Sequence, residues 1–323
     1  MKGSSIMGDL PKISAFGSDA KGRGSNDSDN GARETSIEIL FSPDINRRNQ
    51  LLKNSSDGET WRLIRSALAE AIEKFVTTGG PGIPPSTGEL THVARLGGRG
   101  NNYDFDGFFQ TKSGSTLKLK IEIKRGQSIY DQPQFLQIYA KDGFMVKSTI
   151  PSYASWFYDN HLSSVSGLAT ERTPTKIEYL KKCFGTNYDV FPFTAKLYKL
   201  DRGNSITNKK LQAIAWQSID EYLGELERDT SKLDLKTVQN RLNEQMGKIF
   251  VSWDPGLKSF NVEMFSADAM SINTNITFKK RPTGQRSCVL LENKAGNQIQ
   301  CLLRWKNRNC LLGPAWQISL KDV

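Results

Sequence analysis

"NYDFDGFFQTKSGSTLKLKIEIKRG" (residues 102–126) is the stretch on which the reading of this chain turns. Its second half alternates. Leu117, Leu119, Ile121 and Ile123 fall on one side of an extended strand, and Lys118, Lys120, Glu122 and Lys124 on the other, because successive strand side chains point to opposite faces. The same rule puts Asp104 and Asp106 together on one face of the preceding segment. Gly114 stands where a tight turn calls for positive φ. A hairpin closed there lays an Asp of the first strand beside Glu122 and Lys124 of the second. The plain expectation for such a hairpin is one dry face and one solvated face, and Lys118 and Lys120 fit it. Glu122 and Lys124 differ, because they end a strongly apolar strand, where a core sheet opens onto a cleft.

The bulk numbers narrow the chemistry. A chain of 323 residues is long enough for one large domain or two ordinary ones. A formal net charge of +10 and a pI near 9.3 favour a polyanionic partner, nucleic acid first and an anionic membrane next. No apolar run is long enough to span a bilayer, and the N-terminus lacks the apolar segment of a secretory signal. The expectation is an intracellular protein, cytoplasmic or in the nucleoid or nucleus, with no membrane association. Only His92 and His161 are present, too few for a histidine-built zinc or HNH-type site, and both read as structural. Cys183, Cys288, Cys301 and Cys310 form no CxxC pair and read as buried thiols rather than zinc ligands or a disulfide framework. A metal would therefore be held mainly by carboxylates, which selects a hard ion such as magnesium.

Along the chain, residues 1–35 are rich in Gly, Ser, Asp and Asn and read as a flexible leader. "SIEILFSPD" reads as a short strand. Residues 59–76 read as a helix, with an apolar face at Trp61, Ile64, Leu68, Ile72 and Phe75 stopped by Gly79-Gly80-Pro81. "ELTHVARLGG" reads as a strand before the hairpin. After it, "QPQFLQIYAK" and "SYASWFYD" read as helical, "FPFTAKLYKL" as a strand, and 206–225 and 232–246 as helices. From "KIFVSWD" onward the chain reads as successive strands, with "ENKAGNQ" as a hairpin turn. The expected division is a leader over 1–35, a mixed α/β core with helical insertions over 36–246, and a basic β-rich region over 247–323, with a tail that completes a single sheet as the open alternative.

The acid pair, the hairpin and the Glu-x-Lys triplet together resemble the PD-(D/E)xK nuclease superfamily, over roughly residues 59–145. The resemblance implies a restriction-endonuclease-like core: a mixed β-sheet flanked by helices, here followed by the β-rich C-terminal region. It implies Asp106 as first metal ligand, with Asp104 the alternative. Glu122 follows as second acidic ligand, the backbone carbonyl of Ile123 as a further oxygen ligand, and Lys124 as the family lysine. Many members add a Glu from the first core helix, for which Glu89, Glu70 and Glu73 are candidates, Glu89 first. The implied cofactor is Mg2+, one or two ions per site, with Mn2+ as substitute. The chemistry needs these residue types: hydrolysing a phosphodiester takes a nucleophilic water, neutralisation of a charged phosphorane and support for the leaving oxygen. Lys124 would orient or deprotonate the water and stabilise developing charge.

The tail concentrates positive charge. Lys279, Lys280, Arg281, Arg304, Lys306 and Arg308, with Arg99 in the Gly-rich bend "GGRGNNYDF", are the candidate nucleic-acid contacts. Trp305 reads as core in preference to a base-stacking platform. The resulting expectation is a Mg2+-dependent endonuclease cutting double-stranded DNA, sequence-specific in the manner of a type II restriction enzyme and working as a homodimer. A repair, recombination or mobile-element nuclease of the same fold, RNA as substrate, and a non-catalytic nucleic-acid-binding protein stay open as alternatives.

Overall fold

The computed structural model describes residues 23–54, 58–96, 103–125, 128–131, 134–141, 143–185, 187–201, 205–254 and 259–322. It is mixed α/β, with two five-stranded sheets, one of them mixed, and flanking helices. The chain divides into two compact units, and both are discontinuous. One comprises Met1–Gln132 and Gln245–Ala267, the other Pro133–Glu244 and Asp268–Val323. The boundaries differ from those expected above because "KIFVSWD" and "KSFNVEMF" are not the start of a tail. They return to the first sheet.

Among the described residues the first unit opens with the helices α1 (Arg23–Leu40), α2 (Ile45–Asn54) and α3 (Gly58–Thr78). The leader assigned to 1–35 lies outside the described residues up to 22, and 23–35 is helical. "SIEIL", expected as a strand, is the last turn of α1. Ile37, Leu40 and Phe41 recur at helical spacing and are buried. Helix α3 buries Trp61, Ile64, Leu68, Ile72 and Val76, a stripe of the predicted spacing except that Val76 replaces Phe75 at its end. Such burial contributes roughly 1.5–3 kcal/mol per large aliphatic side chain.

Strands β1 (Gly88–Arg95), β2 (Phe105–Thr111) and β3 (Thr116–Arg125) follow as an antiparallel meander. Gly114 closes the predicted hairpin with φ 89°. The chain then leaves for the second unit, whose strand β4 (Leu136–Tyr139) and helices intervene, and returns as β5 (Lys248–Asp254) and β6 (Ser259–Met264). Strand β5 lies parallel to β3, with Glu122 beside Phe250 and Lys124 beside Ser252. Sheet order is β1-β2-β3-β5-β6. One face carries Phe105, Leu119, Ile121, Ile249 and Val251 into the core with α3. The other carries the charges.

In the second unit the helices are α4 (Tyr153–Asn160), α5 (Leu162–Leu168), α6 (Lys176–Lys182), α7 (Pro192–Leu200), α8 (Ile206–Arg228) and α9 (Leu235–Asn243). Strand β4 joins β7 (Ile272–Lys280), β8 (Arg286–Asn293), β9 (Gln298–Asn307) and β10 (Leu312–Lys321) in the order β4-β10-β9-β8-β7, every pair antiparallel. The "ENKAGNQ" turn is present, with Gly296 at φ 83°.

Two expectations reverse here. "FPFTAKLYKL" is helix α7, started by Pro192 in its first turn and by the Thr194 hydroxyl, which accepts from the Phe191 amide at 3.2 Å. "QPQFLQIYAK" yields the short strand β4, held by backbone pairing to β10. The four cysteines are free and buried, and among the described residues no helix is long and apolar enough to cross a membrane.

Candidate functional site

The charged face of the first sheet is built around Glu122. Strand alternation turns Ile121 and Ile123 one way and Glu122 and Lys124 the other. The β2–β3 register pairs Phe105 with Ile121, so one step before β2 brings Asp104 level with Glu122. Two hydrogen bonds carry the ladder that far: the Asp104 amide donates to the Ile121 carbonyl at 3.0 Å, and the Ile123 amide donates to Asp104 Oδ2 at 2.8 Å. Burial, followed by the nearby Glu122 charge, pushes the Asp104 carboxyl up to about 6, against the opposing pull of the Ile123 amide and Lys124. Two carboxylates in one partly dry place repel, and the protonated form of one is favoured.

Glu122 is 7% exposed, and both of its oxygens are met by ammonium groups. Lys124 pairs with Oε1. Lys248, at the start of β5, lies 3.1 Å from Oε2 and donates to Gln245 Oε1 at 2.6 Å. The two lysines differ in access: the Lys124 side chain is 23% exposed and that of Lys248 only 1%. Burial pulls the Lys248 ammonium below the ordinary lysine range, and Glu122 partly offsets it.

Asp106, the acid that the resemblance implied first, is engaged elsewhere. Its Oδ1 accepts from the Tyr103 hydroxyl at 3.1 Å and its Oδ2 pairs with Lys118 at 2.9 Å. It sits opposite Lys120, two residues along β3 from Glu122. Asp104, held as the alternative, is the acid brought to Glu122. Glu89 does not join them. It is exposed and pairs with Gln110, which in turn faces Thr116, toward the hairpin end of the sheet. Glu73 accepts from the Leu90 amide at 3.3 Å. The helical acid that does act on Asp104 is Glu34 of α1, which adds to the negative field there and forms an ion pair with Arg95 at 2.6 Å.

Sequence reasoning missed Glu34, Gln245 and Lys248. Glu34 was hidden by reading its segment as leader, although Ile37, Leu40 and Phe41 mark a helical face. Lys248 opens "KIFVSW", a nearly unbroken apolar run of the kind that fills a central strand buried on both faces. A lysine there has to be held by an acid.

The donor set suits a hard divalent ion. Asp104, Glu122 and the Ile123 carbonyl supply oxygen only, and the mutual repulsion felt at Asp104 is what a cation between the carboxylates relieves. Among the described residues no three His, Cys, Asp or Glu side chains gather for a metal, so the remaining ligands would be backbone, water or phosphate oxygens.

The expected nucleic-acid contacts scatter in their engagement. Lys279, Lys280 and Lys306 are exposed. Arg281 stacks over the Trp216 ring at 3.7 Å, Arg304 donates to Gln317 at 3.0 Å, and Arg308 pairs with buried Asp201 at 3.2 Å. Arg99 lies outside the described residues. Trp305 is core, donating to the Tyr153 hydroxyl at 3.2 Å and set edge-on to Phe157. His92 meets the Phe41 carbonyl at 3.1 Å and His161 pairs with Glu221 at 2.8 Å, both structural contacts. No protein-family model, curated protein or solved structure matches the chain.

Proposed function

We propose that this chain is a metal-dependent endonuclease of the restriction-endonuclease-like class, acting on double-stranded DNA. The observation that carries the reading is the meeting of Asp104, Glu122 and Lys124 at one end of one sheet face, an acid on one strand's approach and a Glu-x-Lys on the next. A mixed sheet backed by helix α3 and a net charge of +10 support the same reading.

A bound Mg2+ would supply phosphate neutralisation and a more acidic water, with Asp104, Glu122 and the Ile123 carbonyl holding it. Glu122 and Asp104 are held in register by the strand ladder and the Ile123 amide, so the acids need little rearrangement to act together. Lys124 has the solvent access that Lys248 lacks. Orienting a water and stabilising negative charge on a phosphoryl oxygen therefore fall to Lys124. Asp106, already paired with Lys118, shapes the rim of the face. Exposed Lys279, Lys280 and Lys306 supply sequence-independent contacts to the phosphate backbone. Sequence specificity and a symmetric dimer belong to the same proposal.

The competing reading is a non-catalytic binder of nucleic acid in which Lys124 and Lys248 permanently neutralise Glu122. Plasmid relaxation and linearisation with Mg2+, abolished by EDTA, separate the two. Tight DNA binding with no cleavage of any DNA or RNA favours the binder.

A further inference from the structure

Lys248 is among the largest fully buried side chains of the chain. Its neighbours along β5, Ile249 and Val251, belong to the apolar core. If stability alone governed this pair, apolar side chains of similar size at both positions would often serve as well, because a buried ion pair rarely repays the loss of hydration. The ammonium is nevertheless kept, and its place is specific: Nζ lies 3.1 Å from Glu122 Oε2 and 2.6 Å from Gln245 Oε1. Lys124 takes the other oxygen of Glu122. With 1% of its side chain exposed, Lys248 has no route to a phosphate, so it acts on the site through Glu122.

We infer that Lys248 is a positioning residue for the reaction, fixing the orientation of the Glu122 carboxylate while Gln245 fixes Lys248. The inference rests on the nuclease reading. It assigns β5 a part in the site that the Asp and Glu-x-Lys pattern does not contain. Gln245 and Lys248 both lie within the first four residues after the chain returns to the first unit at Gln245. Partners of this kind orient a ligating carboxylate, and losing one typically costs about 10–100-fold in metal affinity or activity.

The test uses the full chain and measures three quantities for wild type, Lys248→Met and Gln245→Ala. These are Mn2+ affinity by titration calorimetry, kcat and KM for plasmid cleavage, and the thermal midpoint. Lys248→Met is expected to weaken Mn2+ binding and lower kcat by about 10–100-fold, with KM for DNA unchanged. Gln245→Ala is expected to shift both in the same direction by less, with its midpoint close to wild type. A merely structural role would move the midpoint and leave Mn2+ affinity alone. A folded Lys248→Met that binds Mn2+ and cleaves as wild type does overturns the inference. If Lys248→Met does not fold, Gln245→Ala decides, and wild-type Mn2+ affinity and kcat in that variant overturn it equally. A wild type that neither binds Mn2+ nor cleaves defeats the nuclease reading and the inference with it. An active wild type with unchanged variants defeats the inference alone.

Discussion

Asp104 Oδ2 accepts a hydrogen bond from the Ile123 amide at 2.8 Å. That bond ties the acid preceding β2 to the residue between Glu122 and Lys124, so that a backbone amide fixes the Asp104 carboxyl beside that pair.

It follows that Asp104 and Asp106 are not interchangeable. Asp104→Asn keeps the acceptor for the Ile123 amide but removes the charge, and is expected to abolish metal-dependent cleavage. Asp106→Asn leaves Glu122 and Lys124 in place and is expected to retain cleavage within about tenfold, the lower bound for losing a partner that acts only through its neighbours. Single-turnover cleavage rates of the two variants decide the matter, and the reverse order would make Asp106 the ligand.

Stability should respond to the same acid. In the folded chain Asp104 holds its proton up to about pH 6, against about 3.9 for an unperturbed Asp. Between those values the folded state binds more protons than the unfolded state, so stability falls as pH rises from about 4 to about 6 and then levels. The loss is roughly 2–3 kcal/mol. Asp104→Asn removes it, so the variant is expected to be more stable than wild type at pH 8 and not at pH 4, by urea unfolding. Parallel pH profiles for the two proteins would contradict the upward shift that burial, and after it the Glu122 charge, imposes on Asp104.

Trp305 separates packing from recognition. It is 4% exposed and its indole donates to Tyr153. Trp305→Ala is expected to cost about 3–5 kcal/mol of folding stability. Trp305→Phe, which keeps most of the volume, is expected to leave DNA affinity unchanged in a filter-binding or anisotropy assay. A selective loss of affinity for single-stranded DNA in a stable Trp305→Phe protein would mean the ring stacks on bases after all.

Among the basic residues, exposure separates those that would contact DNA under the proposed function from those engaged within the fold. Replacing Lys279 and Lys280 together by Gln is expected to reduce the slope of log affinity against log salt by about 2, about 1 for each phosphate no longer neutralised. Arg308→Ala is expected instead to destabilise the fold by about 1–3 kcal/mol, because it strips the partner from buried Asp201. A change in salt slope for Arg308→Ala at unchanged stability would reverse that assignment.

What could be read from the chain was local. The hairpin around Gly114, the apolar side of β3 and the face shared by Glu122 and Lys124 follow from period-two alternation and one turn residue, and the structure has all of them. The helix over 59–76 was legible for the same reason, at period 3.6. The acid that meets Glu122 was narrowed to two and not to one, because alternation puts Asp104 and Asp106 on the same face and only the register chooses between them. Lys248 was out of reach of local patterns. It contacts Glu122 across 126 residues, through a parallel pairing that depends on the chain leaving the first unit and returning. Helix α7 was misread because Phe191 and Phe193 imitate strand alternation, whereas Pro192 and Thr194 form a helix start. Strand β4 was misread because four residues carry too little period of their own, and their pairing to β10 decides them.

The central claim is that Glu122 and Lys124 belong to a working phosphodiesterase site. The most direct measurement is cleavage of supercoiled plasmid by wild type, Glu122→Gln and Lys124→Ala in Mg2+, each with an EDTA control and each checked for folding. Wild type is expected to nick or linearise the plasmid only with metal, and both variants to lose that cleavage while keeping DNA binding. Cleavage by wild type that survives in folded Lys124→Ala and Glu122→Gln, or no metal-dependent cleavage by wild type at all, would contradict it.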